Sequence, residues 1–383
     1  MTRFCIKNIH LVTRNTIQPN CGILLHGNTI ERVFPMSQKP SLAGIPSLDG
    51  KGAWALPGLI DLHIHGFGGY GPELGTPEAL WAMSKQLALH GVSAFCPTLY
   101  CATPSKMKQL LTRLTPAVGQ EKGAKILGFH LEGPFISPAK PGVMKPKDIS
   151  PADVRILEEL YQAAQGKIAI VTLAPELKNI NPVIKFCLKH HIVPQAGHTN
   201  ATYEEFLNAM QLGVTHVTHA FNAMSPFTQR APGVAGAVLM NRHVSCEMIA
   251  DGVHVHPHII SFLRTVKPAN KLILVTDALL PTAQKKGPFI ANGESVVFEG
   301  GVWRRKADKV IAGSALTLTK GIQNLVDFGY SLPQAVGCAS YNPARLLHLR
   351  KCGRIVPGFQ ANITLINKQF VPQAVFIQGK RIL

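Results

Sequence analysis

The hydrophobic positions of the chain fall mainly into short, nearly uninterrupted apolar runs that alternate with longer amphipathic stretches. Eight such runs, rich in Val, Ile, Leu and Phe, cover residues 56–64, 92–99, 126–131, 168–174, 192–196, 216–220, 244–250 and 272–276. Runs without polar alternation are typical of parallel strands buried on both faces. The amphipathic stretches between them, such as 77–90 and 203–212, predict helices, with Pro104, Pro151 and Thr202 just before or at first helical turns. The pattern therefore predicts an α/β protein built on a (β/α)8 TIM-type barrel.

The two ends of the chain have a different pattern. Residues 1–55 and 350–383 contain short strand-like segments separated by turn residues. Together they predict one small β-sandwich domain formed from both termini, packed against a barrel of residues 56–349. Residues 292–312, centred on Glu299-Gly300-Gly301, predict a β-hairpin inserted after the last barrel strand.

Candidate metal ligands stand at the carboxyl ends of five predicted strands. They are His63 and His65 on strand 1, and Glu132, His198, His219 and Asp277 on strands 3, 5, 6 and 8. Two histidines at i and i+2 on a strand point to the same face, although an isolated pair is more often a coincidence. The five positions are spaced at near multiples of the roughly 30 residues of a strand-plus-helix unit. Because the carboxyl ends of barrel strands meet at one mouth, the side chains are expected to converge.

The ligand types indicate hydrolytic chemistry. Imidazoles and carboxylates around an open coordination position suit Zn²⁺, Fe²⁺ or Mn²⁺, which lower the pKa of bound water toward about 7. Asp277 is the carboxylate best placed to accept a proton from that water and return it to a leaving group. Taken alone, Asp277 would more commonly be a helix N-cap than a catalyst, and Glu132 could have a structural role.

Composition and charge favour some classes of protein over others. The 383 residues carry a net charge of +18, but Lys and Arg are scattered and the stacking motifs of RNA-binding modules are absent, which favours an anionic small molecule over nucleic acid. No apolar run approaches the roughly 20 residues of a membrane helix, and Arg3 and Lys7 are not followed by an apolar core. We therefore expect a cytoplasmic protein without a membrane partner. The eight cysteines form no CxxC motif and are expected to be buried free thiols.

Several motifs together resemble a known family. Residues 57–66 (PGLIDLHIHG) are similar to the strand 1 signature of the amidohydrolase superfamily. Seven further motifs, in order, resemble the N-acetylglucosamine-6-phosphate deacetylases: 130–135 (HLEGPF), 197–199 (GHT), 218–224 (THAFNAM), 230–233 (RAPG), 250–254 (ADGVH), 275–278 (VTDA) and 312–316 (AGSAL). The resemblance extends from about residue 50 to 360, and seven motifs in sequence are a specific signal.

The resemblance implies different roles for the candidate ligands. Glu132, His198 and His219 would hold the principal ion, and Asp277 would be the acid/base catalyst. Because His63 and His65 are present, a second ion is possible. One ion is expected, namely Zn²⁺, with Fe²⁺ or Mn²⁺ as alternatives.

The resemblance also implies substrate contacts. The expected residues are Val143, Asn222, Ala223, Arg230, His254, Ala312 and Gly313. Arg230 would bind the phosphate, since a guanidinium can meet phosphate oxygens bidentately. Considered alone, Arg230 would more commonly form a surface salt bridge, and the neighbouring His256 and His258 are expected to be exposed. The family is typically dimeric, so a homodimer is expected.

The implied reaction is hydrolysis of the acetamido group of N-acetylglucosamine-6-phosphate to glucosamine-6-phosphate and acetate, in amino-sugar catabolism or recycling. One departure is Met144, a thioether where the family usually has a hydrogen-bond donor. Two alternatives stay open. The chain could be another amidohydrolase, a cyclic amidase or a deaminase, of a kind that commonly bridges two ions with a carboxylated lysine. It could also be a sugar-phosphate-binding barrel without turnover.

Overall fold

The structure, a computed structural model, describes residues 2–284 and 289–383. Its strands are β1 Arg3–Val12, β2 Ile17–His26, β3 Thr29–Pro35, β4 Ser47–Asp49, β5 Trp54–Pro57, β6 Leu59–Ile64, β7 Val92–Leu99, β8 Lys125–Ile126, β9 Phe129–Glu132, β10 Ile168–Leu173, β11 Val193–Ala196, β12 His216–Val217, β13 Ser245–Ile249, β14 Leu272–Val275, β15 Ile290–Ala291, β16 Glu294–Glu299, β17 Val302–Arg305, β18 Ile311–Ser314, β19 Ile363–Ile366, β20 Pro372–Ile377 and β21 Lys380–Arg381. Its α-helices are α1 Pro77–Leu89, α2 Pro104–Leu114, α3 Val154–Ala163, α4 Ile180–Lys189, α5 Tyr203–Gln211, α6 Gly233–Met240, α7 Pro257–Val266, α8 Leu318–Asp327, α9 Leu332–Ala339 and α10 Tyr341–Leu346.

Eight strands form a parallel barrel. They pair in the order β6, β7, β9, β10, β11, β12, β13 and β14, and the short β8 pairs with β7. The barrel closes where the amide of Asp277, just after β14, donates a hydrogen bond to the carbonyl of His63 on β6 at 2.9 Å. Apolar side chains fill the space between the strands and the surrounding helices, and a second apolar cluster lies inside the barrel. The predicted fold class is confirmed.

Each predicted strand overlaps an observed one, but the run 216–220 is a strand only over His216–Val217, and the runs 56–64 and 126–131 are each divided between two strands. The apolar run 56–64 is split at Gly58 into β5, which pairs with β19, and β6, which belongs to the barrel. The amide of Gly58 donates to the carbonyl of Asn362 at 2.8 Å. A side chain at position 58 would collide with Ser93, so a glycine allows the chain to pass from one sheet to the other.

The helix signals also locate the helices correctly. Pro104 is the first residue of α2, and Pro151 lies shortly before α3. Thr202 is the N-cap of α5, where it forms a capping box with Glu205. The predicted helices 77–90 and 203–212 each extend one residue beyond the observed α1 and α5.

The two ends of the chain build a separate, mostly antiparallel sheet. Its order is β21, β20, β19, β5, β1, β2 and β3, with β4 paired to β1. An apolar cluster of its own lines this sheet and includes Ile6, Ile23, Ile363 and Phe376. The division of the chain into residues 1–55 plus 350–383 and a barrel of residues 56–349 stays a proposal; β5 ends at Pro57, beyond the first proposed boundary.

The insertion after β14 is larger than a hairpin. Strands β15, β16, β17 and β18 form an antiparallel sheet, and its central hairpin turns at Gly300-Gly301, as the sequence predicts. The amide of Ser314, at the end of β18, donates to the carbonyl of Asp277 at 2.9 Å. The insertion therefore returns the chain to the carboxyl-end mouth of the barrel.

Two predictions from composition can be compared with the structure. All eight cysteines are free and seven of them are buried, which confirms the expectation of buried thiols. No helix in the described part of the chain combines the length and apolarity needed to span a bilayer.

Candidate metal centre

The candidate ligands occupy equivalent places on the barrel. Glu132 is the last residue of β9, whereas His198, His219 and Asp277 each stand two positions beyond the end of a strand. His63 lies in β6 and His65 directly follows it. All of them therefore reach the same mouth, as predicted. None of the helices described begins at Asp277, so the N-cap interpretation does not apply there.

The backbone is unusual at three of these positions. His198, His219 and Asp277 have φ values of 47°, 25° and 49°, in the left-handed region that residues other than glycine rarely adopt. Such conformations persist only where the surrounding structure imposes them, and they cluster at functional sites. At each position the turn aims a side chain into the mouth of the barrel rather than onward along the strand.

The Glu132 carboxylate lies at the centre of four imidazoles. Its Oε1 is 3.1 Å from Nε2 of His198, 3.0 Å from Nε2 of His219 and 3.4 Å from Nε2 of His63. Its Oε2 is 3.3 Å from Nε2 of His65. The Asp277 Oδ1 lies 3.3 Å from Nε2 of His65 and 3.6 Å from Nε2 of His63. Thus the two carboxylates and four imidazoles form one cluster.

Three of the imidazoles are held from behind by their Nδ1 atoms. His198 Nδ1 is 3.0 Å from the carbonyl of Lys140, and His65 Nδ1 is 3.2 Å from the carbonyl of Thr98. His63 Nδ1 is 3.1 Å from the Glu247 carboxylate. Acceptors behind a ring fix its tautomer with the proton on Nδ1, which leaves Nε2 free to bind a metal.

Neighbouring groups in the cluster shift one another's pKa values. Burial alone would raise the pKa of Glu132, but the charge of His63 and hydrogen bonds from His198 and His219 hold it well below its usual range. Burial likewise acts to raise the pKa of Asp277, and His63 and His65 outweigh that effect and lower it. Both carboxylates are therefore ionised at neutral pH. His130, beneath the cluster, has its pKa lowered to about 3 by burial and by His63, and is neutral.

The donor set fits divalent cations. Three groups of three described residues each bring their ligand atoms within 4.8 Å of one another: Glu132 with His198 and His219, His63 with His65 and Asp277, and His63 with His130 and Glu247. Within the described chain, His63 Nε2 and Glu132 Oε2 are buried without a hydrogen-bond partner. Buried polar atoms normally have partners, so atoms left open and facing one point favour a bound ion.

A cavity of about 160 Å³ opens beside the cluster. Six of the predicted substrate contacts line it: Val143, Asn222, Ala223, His254, Ala312 and Gly313. Arg230 does not line it, because it lies exposed on the loop before α6. The predicted roles of these residues stay predictions. His256 and His258 are exposed, as expected.

Sequence reasoning overlooked two residues of the site. Tyr100 stacks on His65, with ring centroids 3.8 Å apart and an interplanar angle of 1°. It directly follows β7, so the rule that located the ligands at strand ends would have found it as well. Glu247 is a fully buried carboxylate within β13. A lone acidic residue inside the apolar run 244–250 was the signal for it.

Residues 54–382 match the amidohydrolase family. The chain belongs to the amidohydrolase family. Members of this family depend on metal ions, in agreement with the cluster of imidazoles and carboxylates at the barrel mouth.

Within this family the chain is similar to particular deacetylases. It is 33% identical to an N-acetylglucosamine-6-phosphate deacetylase of Bacillus subtilis (strain 168), covering 94% of this chain and 92% of the relative. It is 30% identical to an N-acetylgalactosamine-6-phosphate deacetylase of Escherichia coli O157:H7, covering 85% and 86%. A mutant N-acetyl-D-glucosamine-6-phosphate deacetylase from Mycobacterium smegmatis, solved in complex with N-acetyl-D-glucosamine-6-phosphate, superposes with a TM-score of 0.93 at 27% identity over 100% of both chains. The resemblance noted in the motifs is confirmed.

Proposed function

We propose that the chain hydrolyses the acetamido group of N-acetylglucosamine-6-phosphate to glucosamine-6-phosphate and acetate, in amino-sugar catabolism or recycling. The chain is a hydrolase that acts on amides, as its family and relatives indicate. The observation that carries the proposal is the Glu132 cluster, with Asp277 beside it on the wall of the same cavity. The named relatives supply the substrate class.

The metal ligands follow from the geometry. We assign the principal ion to Glu132, His198 and His219, and a second ion, where present, to His63 and His65 with Asp277. Zn²⁺ is the proposed ion, and Fe²⁺ and Mn²⁺ are alternatives that imidazole and carboxylate donors would also accept. When bound, the ion supplies Lewis-acid polarisation of the amide carbonyl and makes water more acidic.

Asp277 is the proposed proton-transfer residue. Its lowered pKa keeps the carboxylate ionised, so Oδ1 can accept a proton from the attacking water. The same atom then returns the proton to the departing nitrogen, which leaves as the amine of the sugar. The Asp277 amide is held by the carbonyl of His63 and its own carbonyl by the amide of Ser314, which fixes the carboxylate at the cavity wall.

Substrate binding is assigned to the residues that line the cavity. His254 is held by Asp251, whose Oδ2 lies 2.6 Å from His254 Nδ1, so His254 Nε2 is the ring nitrogen available to the sugar. Asn222 and Ala223 from the turn after β12, with Val143, Ala312 and Gly313, complete the walls. Arg230 is proposed to bind the phosphate, supported by its guanidinium chemistry and by its position on the loop that follows Asn222 and Ala223.

The two alternatives find less support. No lysine is found among the described residues that line the cavity, and Glu132 occupies the centre where a carboxylated lysine would be needed. Met144, which motivated the non-catalytic alternative, packs in an apolar cluster with Tyr100 and Trp303. Met144 therefore has a packing role at the cavity wall, and the complete set of ligands favours turnover.

We also propose a cytoplasmic homodimer. Support for a second copy comes from exposed apolar side chains before and in α6 (Phe227 and Met240) and in α7 (Ile259 and Phe262), two helices that contact each other. Large exposed apolar patches on soluble proteins commonly mark interfaces. Light scattering on the purified protein should give twice the mass of one chain; a monomer at micromolar concentration would contradict the dimer.

The reaction is tested by acetate release from N-acetylglucosamine-6-phosphate, N-acetylgalactosamine-6-phosphate and unphosphorylated N-acetylglucosamine. We expect turnover of the first, less of the second and least of the sugar without phosphate. Asp277→Asn, which retains size but cannot accept a proton, should lower kcat at least a hundredfold. Equal rates for wild type and variant would remove Asp277 from its role. Absence of acetate release from both sugar phosphates, with metal bound, would refute the proposed function.

A further inference from the structure

We infer that Glu247 is a positioning residue that makes His63 a metal ligand and so maintains the second ion position. The inference deepens the proposed function and rests on its metal dependence. Glu247 touches neither the cavity nor Asp277 but lies behind the cluster, within the barrel. Its role follows from the contacts of its two carboxylate oxygens.

Glu247 is connected to both halves of the metal centre. It stands in the middle of β13 and is fully buried. Its Oε2 lies 3.1 Å from Nδ1 of His63 and accepts the backbone N–H of His219 at 3.1 Å. Its Oε1 accepts a hydrogen bond from Nε2 of Gln195 at 3.2 Å. One carboxylate oxygen therefore holds the ring of one candidate ligand and the backbone of another.

The contact with Glu247 determines which nitrogen of His63 carries the proton. An ionised carboxylate only accepts hydrogen bonds, so Nδ1 of His63 must be the donor. The opposite nitrogen, Nε2, then faces Glu132 at 3.4 Å and Asp277 at 3.6 Å with its lone pair available to a cation. Within the described chain this atom has no hydrogen-bond partner. Carboxylate–histidine–metal arrangements of this kind orient the ring and raise its basicity.

The backbone contact adds a second effect. His219 has φ 25°, a conformation that needs support from its surroundings, and the bond from its amide to Glu247 supplies part of that support. The neighbouring His130 does not compete for the carboxylate, because its ring nitrogens already bond the carbonyl of Leu62 at 3.0 Å and the hydroxyl of Thr172 at 2.8 Å. Oε2 of Glu247 therefore keeps its contacts with His63 and His219.

Glu247→Leu gives the sharpest test. Leucine fills the buried position but offers no acceptor to His63 Nδ1 or to the His219 amide, which both bond to the same carboxylate oxygen. The His63 ring then loses the partner that keeps a proton on Nδ1. In Zn²⁺-loaded protein, ¹⁵N NMR of labelled histidines should show His63 with a proton on Nδ1 and Nε2 coordinated in wild type, and this state should be lost in the variant.

Metal titration measures the consequence. Chelator-stripped protein titrated with Zn²⁺ against a competing dye should show two binding steps in wild type. Glu247→Leu should weaken the second step about 10–100-fold and affect the first much less. Glu247→Asp retains the buried negative charge but withdraws it from Nδ1 by one methylene. It should weaken the same step, which separates positioning from simple charge compensation.

His216→Gln is the matched control. His216 Nε2 lies 3.8 Å from Oε1 of the same carboxylate, so the substitution alters the buried surroundings of Glu247 without touching His63. Both binding steps should match wild type. The inference is overturned if both Glu247 variants bind two ions as wild type does, if His63 keeps Nδ1–H with Nε2 coordinated in Glu247→Leu, or if wild type binds a single ion that His63→Ala leaves unaffected. These measurements use no substrate, so their outcome is separate from the outcome of the acetate assay.

Discussion

The backbone amide of Asp277 donates a hydrogen bond to the carbonyl of His63 at 2.9 Å, so the last barrel strand is tied to the first at the candidate metal centre itself. One layer deeper, the hydroxyl of Thr276 donates to Oδ2 of the buried Asp61 at 2.7 Å. The closure of the barrel and the placement of the proposed catalytic carboxylate are therefore the same structural feature. A change that loosens this seam should disturb stability and catalysis together.

Thr276→Val tests the seam. Valine matches threonine in shape but removes the donor, which leaves the fully buried carboxylate of Asp61 with fewer partners. Loss of a partner by a buried polar group costs about 1–3 kcal/mol. We expect the free energy of unfolding, measured by urea denaturation of metal-free protein, to fall by that amount. Thr112→Val, on the exposed face of α2, is the control and should change it by less than about 0.5 kcal/mol. An equally small effect at Thr276 would contradict the seam's importance.

Gly313 is predicted to be irreplaceable at the cavity wall. Its φ is +134°, and a Cβ there would lie 2.5 Å from Cδ2 of Leu279 and 2.9 Å from the carbonyl of Asp277. Gly313→Ala must therefore shift the segment that holds Asp277, and kcat/KM for acetate release should fall at least tenfold. Gly337→Ala, in α9, is the counterpart: nothing lies within 4 Å of its Cβ, so it should stabilise the protein by about 0.5–1 kcal/mol without loss of activity. Similar kinetics for the two variants would refute this account.

The sequence revealed those parts of the fold that depend on local pattern. Strand β7 matches its predicted run residue for residue, and the strand-end positions of Glu132 and His219 followed from the spacing of the apolar runs. Relationships set by tertiary closure could not be inferred in this way. His63 and Glu247 are 184 residues apart in sequence, and only the assembled barrel brings them into contact. The split of the run 56–64 likewise depends on pairing with β19, near the other end of the chain.

Metal removal should lower stability in a way that depends on metal concentration. Glu132 is buried among four imidazoles, and a bound ion stabilises the folded state by about 2.7 kcal/mol at 100 times its Kd. Chelator-treated protein should therefore melt at lower temperature, and its Tm should rise steadily with added Zn²⁺. Glu132→Gln should flatten this rise. If the Tm of the wild-type protein does not change with Zn²⁺ concentration, the ion makes no contribution to stability.

Replacement of Tyr100 is expected to affect stability and substrate binding differently. Its hydroxyl is buried without a hydrogen-bond partner in the described residues, and its ring lines the cavity while stacking on His65. A buried hydroxyl without a partner is unfavourable, so Tyr100→Phe should leave the Tm unchanged or raise it. If the hydroxyl bonds to substrate, the same variant should raise KM several-fold. If KM is unchanged in Tyr100→Phe, the role of Tyr100 is limited to packing against His65. Tyr100→Ala should then weaken Zn²⁺ binding.

The last prediction concerns Asp251 and the orientation of His254. Asp251 Oδ1 accepts the amides of Val253 and His254, both at 2.9 Å, and Oδ2 accepts from His254 Nδ1 at 2.6 Å. Asparagine offers one acceptor oxygen, so in Asp251→Asn either the turn loses its acceptor or the NH₂ group faces His254 Nδ1 and shifts the ring proton to Nε2. We expect kcat/KM to fall roughly 10–100-fold with Zn²⁺ affinity unchanged, because the site loses a substrate contact and keeps every ligand. The exposed Asp308→Asn, which alters only surface contacts with Arg305 and the Val310 amide, should match wild type. A parallel loss of Zn²⁺ in Asp251→Asn would place the defect in the metal centre and contradict the assignment of His254 to substrate.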